Sequence, residues 1–364
     1  MKLILKIFLM GAFFMTGCST IPKPDSEIKI DWIAEPRLKN EDIISKSEAK
    51  DFVNHFFGVL DQVIFDPKFK SSEITFARTD IGLKIDQSSA VTRGETLKLI
   101  NTTLKTLKVS HLVALDPSKT QMIMEMTGDV QSADPKPAVT AKMVGDVGII
   151  KIESFLVPTI TLAQVVMARE HTSKAKILIY DLRNNGGGSG SSASYVIENI
   201  LGPEKTIKFS RTRQGINIAT PVVKYGYFGD EENKGSEAEI KFEEDQKYVE
   251  WRTRKEAIKD VRKTYVLINS HSASSADVFA AAIKEQKAAT LVGTKTMGAV
   301  LGGIAFKLYW KGYSAIMPIN QIISPKGNLY EGLGVEPDYE LKSCDGTDDH
   351  CIDEVVQLIN SRKI

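Results

Sequence analysis

Two stretches in the first third of the chain place apolar residues at helical spacing. Residues 47–64 repeat large aliphatic and aromatic side chains every three or four positions, and residues 93–108 repeat leucine and isoleucine in the same way. This is the period of a helix with one buried face. The pattern predicts a small helical N-terminal subdomain over residues 45–115, in which the aromatic stripe belongs to the core.

From about residue 120 the pattern changes to short apolar runs that alternate with helical stretches. Such alternation predicts an α/β core, a sheet packed between helices, over residues 116–343. The strand candidates are QMIMEMTG, VGIIKIESF, KILIYDL, KTYVLIN and ATLVG. The helical patterns cover residues 160–171, 190–200 and 275–286.

One long segment of this region, residues 207–262, is charged and contains several aromatic residues. A charged run of this kind is usually a solvated helix or loop. Its position between two segments with candidate chemistry would also suit a mobile lid. The sequence leaves both interpretations open.

Composition and charge exclude several classes of protein. The chain has 364 residues, of which 42% are hydrophobic and 26% charged, with a formal net charge of +1. These values are typical of a globular protein with one large or two smaller domains. A near-neutral charge gives no general electrostatic reason to bind nucleic acid. We therefore predict no nucleic-acid partner.

The N-terminus, MKLILKIFLMGAFFMTGCST, reads as an export signal. Lys2 and Lys6 precede an apolar run, residues 7–15, that is too short to span a bilayer. The segment ends in Met-Thr-Gly-Cys, which resembles a bacterial lipoprotein cleavage box. This resemblance predicts a signal peptide over residues 1–17 and lipidation of Cys18. An ordinary secretory signal, cut after a small residue, is the alternative.

The polar, proline-containing residues 18–44 are predicted to form a tether between the lipid and the folded domain. Such an anchor implies a location in the bacterial cell envelope. Ser19, at the position after Cys18, favours the outer membrane facing the periplasm.

The remaining two cysteines flank the polar loop SCDGTDDHC. If Cys18 carries lipid, Cys344 and Cys351 are an even pair in an oxidising compartment, and the Asp-Gly turn lets the ends of the loop approach. We predict a disulfide here, within a C-terminal unit of loop and helix over residues 344–364. A metal site that uses both thiols and His350 is the alternative, but its fourth ligand is unassigned.

The first segment with candidate chemistry is KILIYDLRNNGGGSG. A β-branched strand runs into Asp181 and Arg183, followed by three glycines at 186–188 and then a helix. Glycines permit unusual backbone conformations and let N–H groups point into a concavity. The turn could cradle a phosphate or an oxyanion, although the spacings of phosphate-binding loops are absent. We expect Asp181 and Arg183 to brace the turn.

The second segment, TYVLINSHSASSADVFAAAIKE, covers residues 264–285. A buried strand ends in a polar turn, and Ser274 lies at the head of the following helix. Helix N-termini stabilise developing negative charge, which would suit a nucleophile. Alternatively, Ser272, Ser274 or Ser275 is only a helix cap, and this segment alone favours the cap.

Together, the order DLRNNGGG, strand, SASSAD, helix resembles the tail-specific protease family of serine peptidases, which includes the C-terminal processing peptidases and the tricorn core protease. The resemblance continues through ATLVGTKTMG and ISPKGNLYEGLGVEPDYEL and covers roughly residues 140–341. It implies a core similar to the Clp protease and crotonase spiral sheet, with Ser274 as the nucleophile.

The family has two catalytic arrangements. The C-terminal processing peptidases use a Ser-Lys dyad, but the position of that lysine is held here by Ala299, which cannot accept a proton. Lys295 is displaced by four residues and is a weaker candidate. The peptide-binding PDZ domain of those enzymes is predicted to be absent, because residues 112–145 are too few to hold one.

The tricorn-like branch uses serine, histidine and glutamate, and its motifs are matched here. The histidine follows the helical region in LKTLKVSHLVAL, which contains Ser110 and His111, and Glu331 lies in LYEGLGVEPD. The resemblance implies that His111 is the general base for Ser274, and that Glu331 with the Ser110 hydroxyl orients the imidazole. The implied oxyanion donors are the backbone N–H groups of Gly186, Gly187 and Ser275.

The leading interpretation is an envelope-anchored serine endopeptidase that acts on polypeptides. A Ser-Lys peptidase remains an alternative, as does a non-catalytic binding protein, because interphotoreceptor retinoid-binding proteins reuse this fold to carry hydrophobic ligands. His271, in the turn before Ser274, is a rival base. No cofactor or metal is implied, and neither the cleavage preference nor the oligomeric state follows from the sequence.

Overall fold

The structure, a computed structural model, describes residues 38–126, 138–155, 158–227, 235–346 and 349–364. The predicted signal peptide, its lipidated cysteine and most of the predicted tether lie outside these residues. In the part of the chain described, no helix combines the length and apolar character needed to cross a bilayer.

The elements of secondary structure are numbered in chain order. The helices are α1 (Lys46–Val63), α2 (Ser71–Gln87), α3 (Arg93–Thr106), α4 (Pro117–Met126), α5 (Pro158–His171), α6 (Gly190–Leu201), α7 (Gly235–Gln246), α8 (Ser275–Glu285) and α9 (His350–Asn360). The strands are β1 (Ile43–Ile44), β2 (Val91–Thr92), β3 (Val113–Leu115), β4 (Val139–Val144), β5 (Val147–Ile152), β6 (Ile177–Asp181), β7 (Thr206–Thr212), β8 (Val222–Tyr225), β9 (Tyr248–Arg252), β10 (Lys263–Ile268), β11 (Thr290–Gly293), β12 (Gly302–Lys307), β13 (Ser314–Ile323) and β14 (Tyr339–Glu340).

The first sheet has the order β14-β11-β10-β6-β5-β4. All neighbouring pairs are parallel except β4 and β5, which are antiparallel. Four of the predicted strands, VGIIKIESF, KILIYDL, KTYVLIN and ATLVG, form β5, β6, β10 and β11 of this sheet. The predicted alternation of strands and helices is therefore confirmed for the central sheet.

Both faces of this sheet are covered. Leu178 and Tyr180 of β6 belong to a core with α5, α6 and α8, whereas Ile179 points to the opposite core, which contains α9. Successive strand residues thus enter different cores, which is why these strands read as continuous apolar runs. The first core also includes Ile207 and Val249, of β7 and β9, so the helices lie between two sheets.

The second sheet has the order β12-β13-β7-β9-β8, and β3 also pairs with β13. The N-terminal helices α1 to α3 pack on it in one continuous core. Phe52 of α1, for example, stacks on Trp310 with ring centroids 3.7 Å apart. The predicted helical segment therefore shares its core with the second sheet, and β3 carries the chain directly into that sheet.

The end of the predicted tether is also part of the fold. Ile43 and Ile44 pair with Val91 and Thr92 as a two-stranded sheet. This pairing places residues 43–44 in the folded unit, although the sequence assigned them to the tether.

One predicted strand is wrong, because QMIMEMTG enters α4. Pro117 occupies the first helical position, where its missing N–H costs nothing, and the Asp116 side chain accepts the Lys119 N–H at 2.8 Å. This cap was present in the sequence. The short apolar run suggested a strand and was the weaker signal.

The charged segment, residues 207–262, forms β7 to β9 and α7 and is not a purely solvated run. Lys208 is buried with Glu239 and Glu243, at 2.7 and 3.3 Å. Although burial opposes its charge, the two carboxylates raise the pKa of Lys208 above its ordinary value. The charges were expected to face water but pair in the interior, with Trp251 donating its ring N–H to Glu243 at 2.8 Å.

At the C-terminal end, Cys344 and Cys351 are joined by a disulfide, with their Cα atoms 4.8 Å apart. Both residues are fully buried against the first sheet together with α9. Asp345, next to the disulfide, accepts hydrogen bonds from the Ser270 and Thr294 hydroxyls at 2.8 and 2.9 Å. The C-terminal unit thus contacts the turn that follows β10.

Candidate active site

The two glycine- and serine-containing segments meet because their strands are parallel neighbours. Asp181 of β6 lies opposite Leu267 of β10, so the segments that follow these two strands leave the sheet at the same edge. Immediately beyond, Asn184 and Asn269 bond to each other. The Asn184 backbone N–H donates to Asn269 Oδ1 at 2.9 Å, and Asn269 Nδ2 donates to Asn184 Oδ1 at 3.1 Å.

Asp181 and Arg183 pair with each other in the interior below the glycine turn. The guanidinium Nε and Nη2 donate to the two carboxylate oxygens at 2.9 and 2.8 Å. Both side chains are almost completely buried. This buried bidentate pair is consistent with the bracing role that the sequence predicts for the two residues.

Asn185 connects the glycine turn to its surroundings, and sequence reasoning missed it. Its side-chain oxygen accepts the Gly187 N–H at 2.8 Å, while Nδ2 donates to the Ile152 carbonyl at 2.9 Å. Its own carbonyl accepts the Ala273 N–H at 2.9 Å. The buried carboxamide therefore fixes the glycine turn to the end of β5, and the backbone carbonyl of the same residue holds the turn that carries Ser274.

Gly187 touches Ser274 so closely that no side chain fits. A Cβ atom on Gly187 would lie 2.6 Å from Ser274 Cβ and 2.8 Å from the Ala273 carbonyl oxygen. Its φ of +94° is also one that glycine adopts without cost. The predicted cradle and the predicted nucleophile are therefore in direct contact.

Ser274 adopts a backbone conformation that is unusual for a residue with a side chain. It precedes the first residue of α8 with φ 58° and ψ −117°. Positive φ is uncommon outside glycine, and residues held in such regions cluster at functional sites. The next residue, Ser275, donates its hydroxyl to the Gly188 carbonyl at 2.6 Å, which ties the head of α8 to the glycine turn.

Ser110, His111 and Glu331 form a second cluster across a long sequence separation. Glu331 accepts the Ser110 backbone N–H at 2.7 Å and the Ser110 hydroxyl at 2.8 Å. The His111 Nδ1 atom lies 3.1 Å from the same hydroxyl oxygen. The single proton of the Ser110 hydroxyl is directed to the Glu331 carboxylate. The hydrogen bond between Ser110 and His111 must therefore use a proton carried by His111 Nδ1. This tautomer leaves Nε2 unprotonated and able to accept a proton.

His111 is enclosed on one face by the backbone of Gly303. A Cβ there would lie 2.5 Å from His111 Cβ and 2.8 Å from its Cγ, so only glycine permits this packing. Burial lowers the pKa of His111, and the nearby Glu331 carboxylate opposes that effect only in part. The imidazole is therefore neutral at neutral pH, the state that a general base requires.

One short segment, residues 298–301, joins the two clusters. Asp277, in the first turn of α8, accepts the N–H groups of Gly298 and Ala299 at 2.9 and 3.0 Å. Glu331 accepts those of the next two residues, Val300 and Leu301, at 2.8 and 3.2 Å. The carboxylates of Asp277 and Glu331 thus accept hydrogen bonds from consecutive backbone N–H groups.

One contact of the predicted arrangement, that between Ser274 and His111, is not formed in this structure. Among the described residues, no hydrogen bond joins the Ser274 hydroxyl to the His111 imidazole. Catalytic hydrogen bonds are often long in structures without substrate and tighten when substrate binds. In this structure the two residues are linked through the shared segment of residues 298–301.

The three predicted oxyanion donors differ in their surroundings. The Gly187 N–H is already bonded to Asn185. Within the described ranges, the N–H groups of Gly186 and Ser275 have no hydrogen-bond acceptor. Helix N-termini leave such groups unpaired, so Ser275 at the start of α8 and Gly186 are the two donors available in this structure.

The two rival bases have other partners. Lys295 forms an ion pair with Glu336 at 2.6 Å, and about half of its side chain is exposed. The ring of His271 lies 3.3 Å from the Ser270 hydroxyl, which itself donates to Asp345. Both side chains are engaged in contacts that do not involve Ser274. No group of three or more potential metal ligands occurs in the described residues.

The fold and these clusters define an α/β protein with a serine at one edge of the sheet and a half-buried histidine, serine and carboxylate cluster linked to it through residues 298–301. Residues 146–341, more than half of the chain, match the model of peptidase family S41. The chain belongs to this family. The predicted family and α/β fold class are confirmed; the absence of a PDZ domain stays a prediction, since part of residues 112–145 lies outside the described ranges.

Known proteins with sequence or structural similarity agree with this assignment. A probable CtpA-like serine protease of Staphylococcus epidermidis is 23% identical over 314 residues, which are 85% of this chain and 52% of that protein. The chain spans about half the length of the curated relatives it matches.

Among solved structures, the photosystem II D1 C-terminal processing protease is similar with a TM-score of 0.52 and 15% identity, over 81% of this chain and 93% of that one. The tricorn protease has a TM-score of 0.52 and 13% identity, over 86% of this chain and 37% of that one. These similarities establish a shared fold.

The electrostatic arrangement around His111 predicts how its titration responds to Glu331. Burial should place the pKa of His111 below its usual value of about 6.5. Glu331→Gln removes the charge that opposes this effect, so the pKa should fall further. Titration of ¹⁵N-labelled histidines by NMR measures both values and also reports the proton on Nδ1.

His55 provides the internal control for this titration, because burial alone lowers its pKa and Glu331 makes no contribution. Its titration should be the same in both proteins. A wild-type His111 that titrates above 6.5, or whose pKa rises in Glu331→Gln, would contradict the arrangement described here.

Proposed function

We propose that this chain is a serine endopeptidase in which Ser274 is the nucleophile and His111 the general base. The observation that carries the proposal is the contact of the His111 ring with the Ser110 hydroxyl, which in turn donates to Glu331. It provides a neutral imidazole whose Nε2 is the only nitrogen free to take a proton. The segment of residues 298–301 connects this base to the residues around Ser274.

In the proposed reaction, Ser274 Oγ attacks the carbonyl carbon of a peptide bond while His111 Nε2 takes the hydroxyl proton. The resulting imidazolium returns that proton to the leaving amine as the C–N bond breaks, which leaves an acyl-enzyme. Water then attacks the ester carbonyl, with His111 again taking and returning a proton. Polypeptide chains are the proposed substrates.

Ser110 and Glu331 act on the imidazole without exchanging protons in this scheme. Their hydrogen bonds hold the ring in one tautomer, and the carboxylate stabilises the positive charge that forms during the reaction. Ser110 Oγ also lies 3.3 Å from the Leu301 N–H. With the proton on His111 Nδ1 directed to it, this hydroxyl uses its full hydrogen-bonding capacity.

The N–H groups of Gly186 and Ser275 are the proposed donors to the oxyanion. The Gly187 N–H could donate to the oxyanion only if its hydrogen bond to Asn185 were broken. The proposed role of Gly187 is to allow the close approach of Ser274. In comparable sites the loss of one donor costs about 2.7–4 kcal/mol of transition-state stabilisation.

A fluorophosphonate probe tests this proposal directly. Attack by Ser274 Oγ on phosphorus with loss of fluoride should label the wild-type chain covalently, and Ser274→Ala should abolish the label. His111→Ala should slow labelling by several orders of magnitude, because the hydroxyl loses its base. Intact-protein mass spectrometry measures the rates.

Lys295→Ala is the matched control, since it removes a side chain that pairs with Glu336. It should label at the wild-type rate. Labelling that depends on Lys295 and not on His111 would instead support a Ser-Lys peptidase. A folded wild-type chain that never labels would favour the non-catalytic binding protein.

We further propose that the chain is exported and anchored by lipid on Cys18, in the bacterial envelope and at the outer membrane facing the periplasm. The cleavage-box resemblance and the tether composition support this location. In a bacterial host, the wild-type chain should incorporate labelled palmitate and fractionate with membranes, whereas Cys18→Ser should lose both properties. Equal incorporation in the two proteins would refute the anchor.

A further inference from the structure

Asp277 is a fully buried carboxylate that the proposed reaction does not use. Its oxygens accept the N–H groups of Ser274 at 2.9 Å, Gly298 at 2.9 Å and Ala299 at 3.0 Å. The Thr296 hydroxyl is a further donor. No cation is paired with Asp277 in the described part of the chain, so these hydrogen bonds alone oppose the effect of burial, which still raises the pKa of the carboxyl group.

We infer that Asp277 is a positioning residue that holds Ser274 in its reactive backbone conformation and couples it to the segment supporting His111. This inference rests on the proposed function of Ser274 as nucleophile. The Asp277 carboxylate contacts neither the substrate nor the Ser274 hydroxyl in the reaction described above. It acts through the main chain on both sides of the site.

The first part of the inference follows from the conformation of Ser274. A left-handed φ is unfavourable for a residue with a side chain. The bond from the Ser274 N–H to Asp277 offsets that cost, because it forms when the Ser274 peptide is turned toward α8. The same bond occupies the Ser274 N–H, so the oxyanion site is left to Ser275 and Gly186.

The second part follows from where Asp277 binds the next segment. Gly298 and Ala299 bond to Asp277, and the adjacent Val300 and Leu301 bond to Glu331. Neighbouring Cα atoms in a chain are only 3.8 Å apart. A shift of Ser274 relative to His111 therefore requires one of these two carboxylates to release its peptide groups.

A carboxylate is required for these contacts. Its two oxygens only accept hydrogen bonds, which matches a set of partners that are all donors. In Asp277→Asn the amide nitrogen would face either the Gly298 N–H or the N–H groups of Ser274 and Ala299. This variant keeps the side-chain size and replaces an acceptor with a donor at the contact.

The kinetic test uses the fluorophosphonate probe on the full chain. Loss of orientation should lower the maximal labelling rate of Asp277→Asn at least 100-fold, while the probe concentration at half-saturation stays near the wild-type value. The NMR pKa of His111 should be unchanged. Asp353→Asn is the matched control, an exposed aspartate in the first turn of α9, and should label normally. Wild-type labelling rates in Asp277→Asn would overturn the inference.

A thermodynamic cycle tests the same inference without any activity. If Asp277 holds Ser274 in an unfavourable conformation, Ser274→Gly should raise the folding equilibrium constant roughly threefold to tenfold over Ser274→Ala. In an Asp277→Ala background, which removes both carboxylate oxygens, the Ser274 N–H loses this partner, so the same comparison should give a smaller gain. Urea unfolding of the four proteins measures both gains.

Equal gains in the two backgrounds would show that Asp277 does not constrain Ser274 and would overturn the inference. If Asp277→Ala does not fold, Ser274→Gly and Ser274→Ala can still be compared in the chain that retains Asp277. An equal folding equilibrium constant for these two variants would show that Ser274 is not held in an unfavourable conformation, and it would overturn the inference. Failure of the wild-type chain to label would count against the proposed function, whereas the cycle would still report on Asp277.

Discussion

The site depends on two carboxylates, one fully buried and one half-buried, that bind one stretch of backbone. Asp277 and Glu331 accept the four consecutive N–H groups of residues 298–301, and they also contact Ser274 and Ser110 respectively. The helical N-terminal segment contributes the histidine and the α/β core contributes the serine. These hydrogen bonds fix the position of the N-terminal segment relative to the core at the site. Packing between sheets and helices alone would specify this position less precisely.

Much of the fold could be predicted from the sequence because the central strands are buried on both faces. Their uninterrupted apolar runs, and the helical spacing of α1, α3 and α8, are local signals that tertiary contacts reinforce. The second sheet was not predicted. Its strands β7 and β9 carry charged residues: Lys208 pairs with Glu239, and Glu250 pairs with Arg252. A local sequence pattern cannot distinguish a buried ion pair from a solvated one.

In the candidate site, too, a local sequence pattern does not reveal which partners a residue binds across the fold. Motif order was enough to propose Ser274, His111 and Glu331, which lie in recognisable segments. Asn185 and Asp277 were missed because their importance comes from what they bind across the fold. The spacing of Ser274 and Asp277 matches that of a helix-capping pair, and this signal was available. The positive φ of Ser274, however, depends on Gly187 and Asp277 together and has no counterpart in the sequence.

The relation between Ser274 and His111 is tested most directly by a crystal structure of the chain after reaction with a fluorophosphonate. We expect phosphorus bonded to Ser274 Oγ, with His111 Nε2 within about 2.7–3.2 Å of that oxygen. The phosphoryl oxygen should accept the N–H groups of Gly186 and Ser275. A phosphonylated Ser274 whose neighbouring base is another side chain, with the His111 imidazole out of hydrogen-bond reach, would contradict the proposed site.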